Sequence, residues 1–265
     1  MMVKGFMFGL ISKIICLFFG VFFFCSYAYA EKTTYVSLTP SITEIVYALE
    51  AQDNLIGVST ECNYPIEASL KTKIGNTFFV DREKIIRLNP SYIFSMDSTQ
   101  YLLASFKYSD IKPVFFKFDT INDVYKNIEY IGKLTDKTQQ AGELISSIKE
   151  QISKIKTNSP KKILYLVQVN PMISIGKKSF ITDIIQKSGQ VSVTSNLNAY
   201  YPTISEEFAV KSSPDIVVVN FFDDTRRLRQ LFPHSKIIIL SKEERDVINR
   251  PGPRVYKSVQ YFSKL

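Results

Sequence analysis

After its first thirty residues this chain alternates short strand-like runs with helix-period segments to its end, and nothing else in it restricts the fold as much. The strand-like runs are Thr34 to Leu38, Leu55 to Val58, Tyr92 to Phe94 and Val114 to Phe116, then Ile163 to Val167, Ile216 to Val219 and Lys236 to Leu240. Helical periodicity is found at Ile42 to Leu49, Phe180 to Lys187 and Val255 to Phe262. A helix between successive strands leaves them parallel, so each group of runs predicts a mainly parallel sheet flanked by helices. Ser41 with Glu44 three positions later reads as a capping box that opens a helix straight out of the first strand.

Between the two groups, Ala141, Leu144, Ile145, Ile148, Ile152 and Ile155 recur mostly at intervals of three and four. They form one apolar stripe on a helix of about 20 residues, roughly 30 Å long, which ends near Asn158-Ser159-Pro160. The expected architecture is therefore α/β with two lobes: an N-terminal lobe over residues 31–134, one long connecting helix over 135–158 and a C-terminal lobe over 159–265. A stiff joint of this kind permits only limited hinge motion.

Residues 1–30 are built differently. Lys4 and Lys13 precede an apolar run from Ile14 to Phe24, and Ala28-Tyr29-Ala30 supplies a small-x-small ending. This is the pattern of a secretory signal peptide cleaved after Ala30, and the run is too short for a bilayer span of about 20 residues. Cys25 follows three phenylalanines where a lipid-attachment signal needs small residues. Removing the segment takes Lys4 and Lys13 and no acid, so the net charge falls by two from +8 to +6. Cys16 and Cys25 leave as well, and Cys62 remains without a disulfide partner. The basic residues are scattered apart from Arg226-Arg227-Leu228-Arg229 and Lys161-Lys162, which read as solvated faces; no nucleic-acid partner is expected.

The two halves echo one another. Asp81 to Pro90 precedes the strand at Tyr92, and Ser205 to Pro214 precedes the strand at Ile216. Each segment begins with a helix-capping residue, places a glutamate two positions later, Glu83 or Glu207, and reaches proline seven residues after that glutamate. A carboxylate in the first helical turn is favoured by the dipole and by free N–H groups, so the pattern has a structural explanation beside a functional one. Either way it predicts one exposed glutamate on each lobe.

Hydrolytic chemistry finds little support. His234 is the only histidine, it lies in a turn before a strand, and no Gly-x-Ser-x-Gly elbow occurs. A metal cage of several histidines is excluded by count. Gly176-Lys177 precedes a helix but lacks the earlier glycine of a phosphate loop. A dyad of Cys62 with His234, or a pair of glycosidase carboxylates, is permitted and indicated by nothing. The strand ends and the loops after them carry Tyr64, Phe78, Phe79, Met96, Tyr101, Tyr200, Tyr201, Phe221 and Phe222. In open α/β sheets these ends face the ligand crevice, and a cleft so lined suits a large, flat, partly apolar ligand, with about half of these side chains expected in the core instead.

Val36-Ser37-Leu38-Thr39-Pro40-Ser41 with Thr43-Glu44, Leu55 to Ser59 with Tyr64-Pro65, and Glu83 to Leu88 with Asn89-Pro90 resemble the first lobe of the periplasmic cobalamin and iron-complex binding proteins of ATP-binding cassette importers. Asn170-Pro171 with Gly176-Lys177, Ser205 to Pro214, and Arg250-Pro251-Gly252-Pro253-Arg254 resemble the second lobe, in the same order. The resemblance covers nearly all of the chain after the signal and lies nearest the cobalamin-binding members. It implies a monomeric, non-enzymatic periplasmic carrier of the class III type, with no cofactor of its own, a ligand between the lobes and little closure. It implies also that Glu83 and Glu207 dock onto arginines of the importer's permease in the inner membrane, where paired Arg and carboxylate combine orientation with attraction.

On this resemblance Tyr64, Phe78, Met96, Tyr200 and Tyr201 are the expected cleft walls, with Arg254 near the rim. Glu61, Thr77 and Met96 stand where the cobalamin pattern has aromatic residues, whereas Tyr201 keeps one. The expected ligand is cobalamin or a related corrinoid. The alternatives on the same scaffold are haem, with Tyr64, Tyr101 or Tyr200 as axial ligand and Arg226 or Arg227 at the propionates, or a ferric siderophore near Arg254. An exported hydrolase and an adhesive scaffold with a sealed interface are readings of other classes.

Overall fold

The first sheet is short, parallel and largely buried on both faces, as near-continuous apolar strands require. Its strands β1 (Tyr35–Ser37), β2 (Leu55–Val58), β3 (Tyr92–Met96) and β4 (Lys112–Phe116) lie in the order β2-β1-β3-β4, each pair parallel. The second sheet has β5 (Lys162–Gln168), β6 (Ile173–Ser174), β7 (Val191–Ser192), β8 (Ile216–Val219) and β9 (Lys236–Ile239). Its order is β6-β5-β8-β9, with β7 also on β5; only β6 is antiparallel. The computed structural model describes residues 33–76, 78–157, 159–221 and 226–265; the expected signal peptide, Thr77 and Phe222 lie outside them.

The helices are α1 (Pro40–Ala48), α2 (Arg82–Leu88), α3 (Ile121–Leu134), α4 (Thr138–Ser153), α5 (Phe180–Lys187), α6 (Glu206–Lys211), α7 (Arg226–Leu231), α8 (Lys242–Ile248) and α9 (Val255–Ser263). Two expectations change here. The helix after β1 is not opened by a Ser41 capping box: Thr39 is the N-cap without a side-chain bond, Pro40 occupies the first turn, and Ser41 and Glu44 lie buried inside the helix. Pro40 supplies the preset φ that a first helical turn needs, which frees the Glu44 carboxylate for another partner.

The connecting segment is also not one helix over 135–158. It is α4, 16 residues long, preceded by α3, whose start is fixed by a capping box of Thr120 and Asp123. The chain reverses between them at Asp136, which takes φ +56°. The two helices pack so closely at Gly132 that a Cβ there would stand 2.6 Å from the Ala141 Cβ. Polar Thr135, Asp136 and Lys137 extend the amphipathic pattern on paper, but the reversal places α3 and α4 side by side.

The repeated segments fold alike. Asp81 caps α2 by accepting from the Lys84 N–H at 2.9 Å, and Ser205 caps α6 by accepting from the Phe208 N–H at 3.1 Å. Asn89 and Ser213, each just before its proline, both take φ +46° and end their helices in the left-handed conformation.

One apolar core runs through both halves. Tyr35, Ile42, Ile45 and Phe94 belong to the same buried cluster as Tyr165, Phe180, Ile184 and Phe262. Phe94 stacks on Tyr35 at 5.2 Å and meets Phe116 edge-on at 5.7 Å. Each such ring contributes about 1.5–3 kcal/mol by burial, and sharing the cluster couples the halves: residues Thr34–Leu265 form a single compact unit.

Candidate functional site

The carboxyl ends of β1, β3, β5 and β8 open onto one cavity of about 670 Å³. Ligands of open α/β sheets bind at this end of the strands, and the volume lies within the usual range of about 300–1,000 Å³ for small-molecule sites. Pro40, Ser41, Met96, Leu102 and Phe118 line it from the first half, and Phe180, Ile181, Tyr201, Asn220 and Phe221 from the second. The halves therefore enclose an opening; a sealed interface is not what the chain forms.

Polar groups at the back of this cleft tie the halves together. Glu44, whose side chain is 2% exposed, receives a fork from Arg254: Nε donates to Oε2 at 2.8 Å and Nη2 to Oε1 at 2.6 Å. Arg250 lies beside it, 3.4 Å from Glu44 Oε1, and donates to Asn63 Oδ1 at 2.8 Å and Asp246 Oδ1 at 3.0 Å. The Arg254 guanidinium also sits over the Tyr64 ring, 4.0 Å from its centroid. Two further links cross between the halves: Tyr200 donates to Asp119 Oδ2 at 2.8 Å, and the Ile121 N–H donates to Asp183 Oδ2 at 2.7 Å. The bond to Asp119 raises the Tyr200 phenol above its ordinary range.

In the second half, buried Tyr165 directs its hydroxyl at Asn220 Oδ1, 2.9 Å away, and Asn249 Oδ1, 3.1 Å away, while Asn249 Nδ2 donates to Asn220 Oδ1 at 2.8 Å. Both asparagines line the cleft, so a rigid buried phenol orients two amides toward its interior. Burial holds that phenol protonated, well above its usual range.

Of the six residues expected at the ligand, Met96 and Tyr201 line the cavity. Tyr64, Phe78, Tyr200 and Arg254 do not. Arg254 is drawn off the rim because buried Glu44 demands a cation; Tyr64 lies against it, and Tyr200 is engaged by Asp119. Phe78 is 84% exposed, on a turn whose flanking Asn76 and Val80 do line the cavity. There Asn76 Oδ1 accepts from the N–H groups of Phe78 and Phe79 at 2.9 and 2.8 Å. Gly75 takes φ +130°, where a Cβ would meet the Phe79 carbonyl at 2.2 Å. Both rings are exposed beside residues that line the cavity.

The expectation that about half of the loop rings would be core is not met. Tyr64, Phe78, Phe79, Tyr101, Tyr200, Tyr201 and Phe221 are all exposed, because the core is filled by rings within strands and helices. The sequence reading set Glu61 at a pocket position without making it a cleft wall, and it assigned no part of the site to Glu44, Arg245, Asp246, Asn249 or Arg250. Arg250 to Arg254 formed a visible motif; Glu44 carried a signal that pointed to a cap instead.

Glu83 and Glu207 are exposed in the first turns of α2 and α6. Glu207 pairs with Lys211, at 2.6 Å one turn along, whereas neighbouring Glu206 is held by Arg227. Cys62 is buried beneath the cleft wall with Thr43 Oγ1 at 3.1 Å and Ser59 Oγ at 3.2 Å, and burial raises its thiol. His234 is exposed in the turn before β9, so these two do not form a dyad. Arg226 and Arg227 are exposed at the start of α7 and line no part of the cleft.

Comparison with known proteins agrees with this architecture. The family described as periplasmic binding protein matches residues 36–226. A vitamin B12-binding protein of Vibrio parahaemolyticus is 26% identical, over 92% of this chain and 94% of its own. An uncharacterized substrate-binding lipoprotein of an ABC transporter in Bacillus subtilis is 27% identical, over 88% of this chain and 80% of its own. The periplasmic heme binding protein of Vibrio cholerae has the same fold, with a TM-score of 0.75, 19% identity and coverage of 88% of this chain and 98% of that one.

Proposed function

The chain belongs to the periplasmic binding protein family, and on that premise we propose that it captures cobalamin or a related corrinoid between its halves and delivers it to the permease of an ABC importer. It acts as a carrier in the periplasm and not as an enzyme. The observation that carries this reading is the cavity of about 670 Å³ at the strand ends, apolar on both walls and bounded by residues of both sheets. A flat macrocycle matches walls of Met96, Phe118, Phe180 and Tyr201, and the asparagine pair fixed by Tyr165 supplies directed polar contacts for its periphery.

Delivery needs a surface that the permease can read. Glu83 and Glu207 are one exposed carboxylate per half, each on a capped helix of the same internal pattern, and they suit arginines of a membrane partner. The relatives' names support both parts: one is a vitamin B12-binding protein and another a substrate-binding lipoprotein of an ABC transporter.

Haem is the second reading, favoured by the heme-binding structure on the same scaffold. Absorption spectra and gel filtration after mixing the protein with cyanocobalamin, hemin or a ferric siderophore separate the two. Co-elution of cyanocobalamin is expected; hemin alone bound with an altered Soret band would replace the corrinoid reading.

A further inference from the structure

We propose that Glu61 selects the ligand's periphery in this cleft, admitting arms that present N–H donors, such as carboxamides, in preference to arms that end in carboxylates. The inference rests on reading the cleft as the chelate site, and it concerns a residue where the family resemblance calls for a ring.

Glu61 lines the cavity, yet its Oε2 is shielded from solvent with no hydrogen-bond partner among the described residues. The other charged groups of the lining are engaged elsewhere. Arg250 is held by Glu44, Asn63 and Asp246, which also satisfies Asp246. Arg245 donates to the Leu240 carbonyl at 2.7 Å and lies over Phe221, 5.3 Å from its centroid. The turn that carries Glu61 is pinned on both sides, by the Thr60 N–H on the Gly75 carbonyl at 2.9 Å and by the Cys62 thiol between Thr43 and Ser59. The carboxylate is thus held at the cleft wall with an acceptor unfilled.

An acceptor removed from water and left without a donor is costly, and a ligand that brings the donor relieves that cost. A second carboxylate brought to the same place adds repulsion in a poorly solvated site. Corrinoids carry neutral carboxamide arms around the ring, whereas porphyrins carry propionates. The same scaffold can therefore be turned toward the first class and against the second by this one side chain.

The test compares the wild-type protein with Glu61→Gln by titration calorimetry, using cyanocobalamin, its separated monocarboxylate isomers and hemin. Glu61→Gln preserves the size of the side chain, and Glu61 Oε2 has no hydrogen-bond partner among the described residues to lose, so the variant should keep its circular dichroism and urea midpoint. Wild type is expected to bind at least one monocarboxylate about tenfold more weakly than cyanocobalamin, and Glu61→Gln to bring the two within about twofold. The same preference in both proteins for every isomer would overturn the role of Glu61 while leaving the corrinoid carrier intact. If neither protein binds cyanocobalamin, the corrinoid reading itself fails and hemin decides: a gain of about tenfold in the variant keeps the selector, and an unchanged hemin affinity removes it.

Discussion

Arg254 grips both carboxylate oxygens of Glu44 across 210 positions of sequence, one residue from α1 after the first strand and the other at the entry to the last helix. Both side chains are withdrawn from solvent, at 2% and 14% exposure. Removing one partner of such a pair leaves the other charged and buried, which costs about 3–5 kcal/mol, whereas replacing both by apolar groups is nearly neutral. Glu44→Gln and Arg254→Met should each lower the urea midpoint by a loss of that size. The combination Glu44→Leu with Arg254→Met should restore most of it. Single variants as stable as wild type would mean that the pair holds nothing together.

The cleft rings give a second expectation. Tyr201 lines the cavity and Phe78 lies between Asn76 and Val80, which line it, and both rings are solvent-exposed. Rings that cover a macrocycle add substantial burial on binding, so Tyr201→Ala and Phe78→Ala should each weaken cyanocobalamin binding about tenfold. Their urea midpoints should stay at the wild-type value, since neither ring belongs to the core. An unaltered affinity in Phe78→Ala would place the ligand deeper, away from the turn.

Docking is tested by charge reversal. Glu83→Lys and Glu207→Lys alter exposed first-turn positions and leave the cleft untouched, so ligand affinity should be unchanged while uptake in cells or reconstituted vesicles is abolished. Arg and carboxylate pairs at such a surface fix orientation as well as attraction, and reversal converts both to repulsion. Weakened affinity with normal transport would assign these glutamates to the wrong task.

Much of the frame was legible in the residues, for physical reasons. Strand runs such as Ile216–Val219 are buried on both faces and need no partner to be recognised. The repeated junctions ending at Asn89 and Ser213 are specified by adjacent residues alone. Glu44 was not legible: its spacing from Ser41 fits a cap equally well, and only the folded chain brings Arg254 to it. The reversal at Asp136 escaped for a similar reason, because a polar stretch that can continue a helix was chosen for a turn by the packing of Gly132 on Ala141. Tyr64 and Tyr200 share loop composition with Tyr201, and only contacts distant in sequence separate a cleft wall from a strut between halves.

Alkaline pH should expose the weight of the buried acids. The Tyr35 hydroxyl donates to the Ala51 carbonyl and lies in the core, and burial is the larger cause of its raised pKa, with nearby Asp53 adding to it. Burial likewise raises the Cys62 thiol and the Tyr165 phenol. In the unfolded chain the thiol titrates near about 8.5 and the phenols near about 10. Above those values the unfolded state releases protons that the folded state retains, so stability is fully present below about pH 8 and falls as pH rises through this window. Cys62→Ala should flatten the first part of the decline, between about pH 8 and 10, and Tyr35→Phe the part above it. Tyr35→Phe should also cost about 1 kcal/mol at neutral pH by leaving the Ala51 carbonyl without its donor. Urea midpoints at about pH 7, 9 and 10.5 measure both effects, and a wild-type midpoint independent of pH would show that these acids ionise as readily in the folded chain as in the unfolded one.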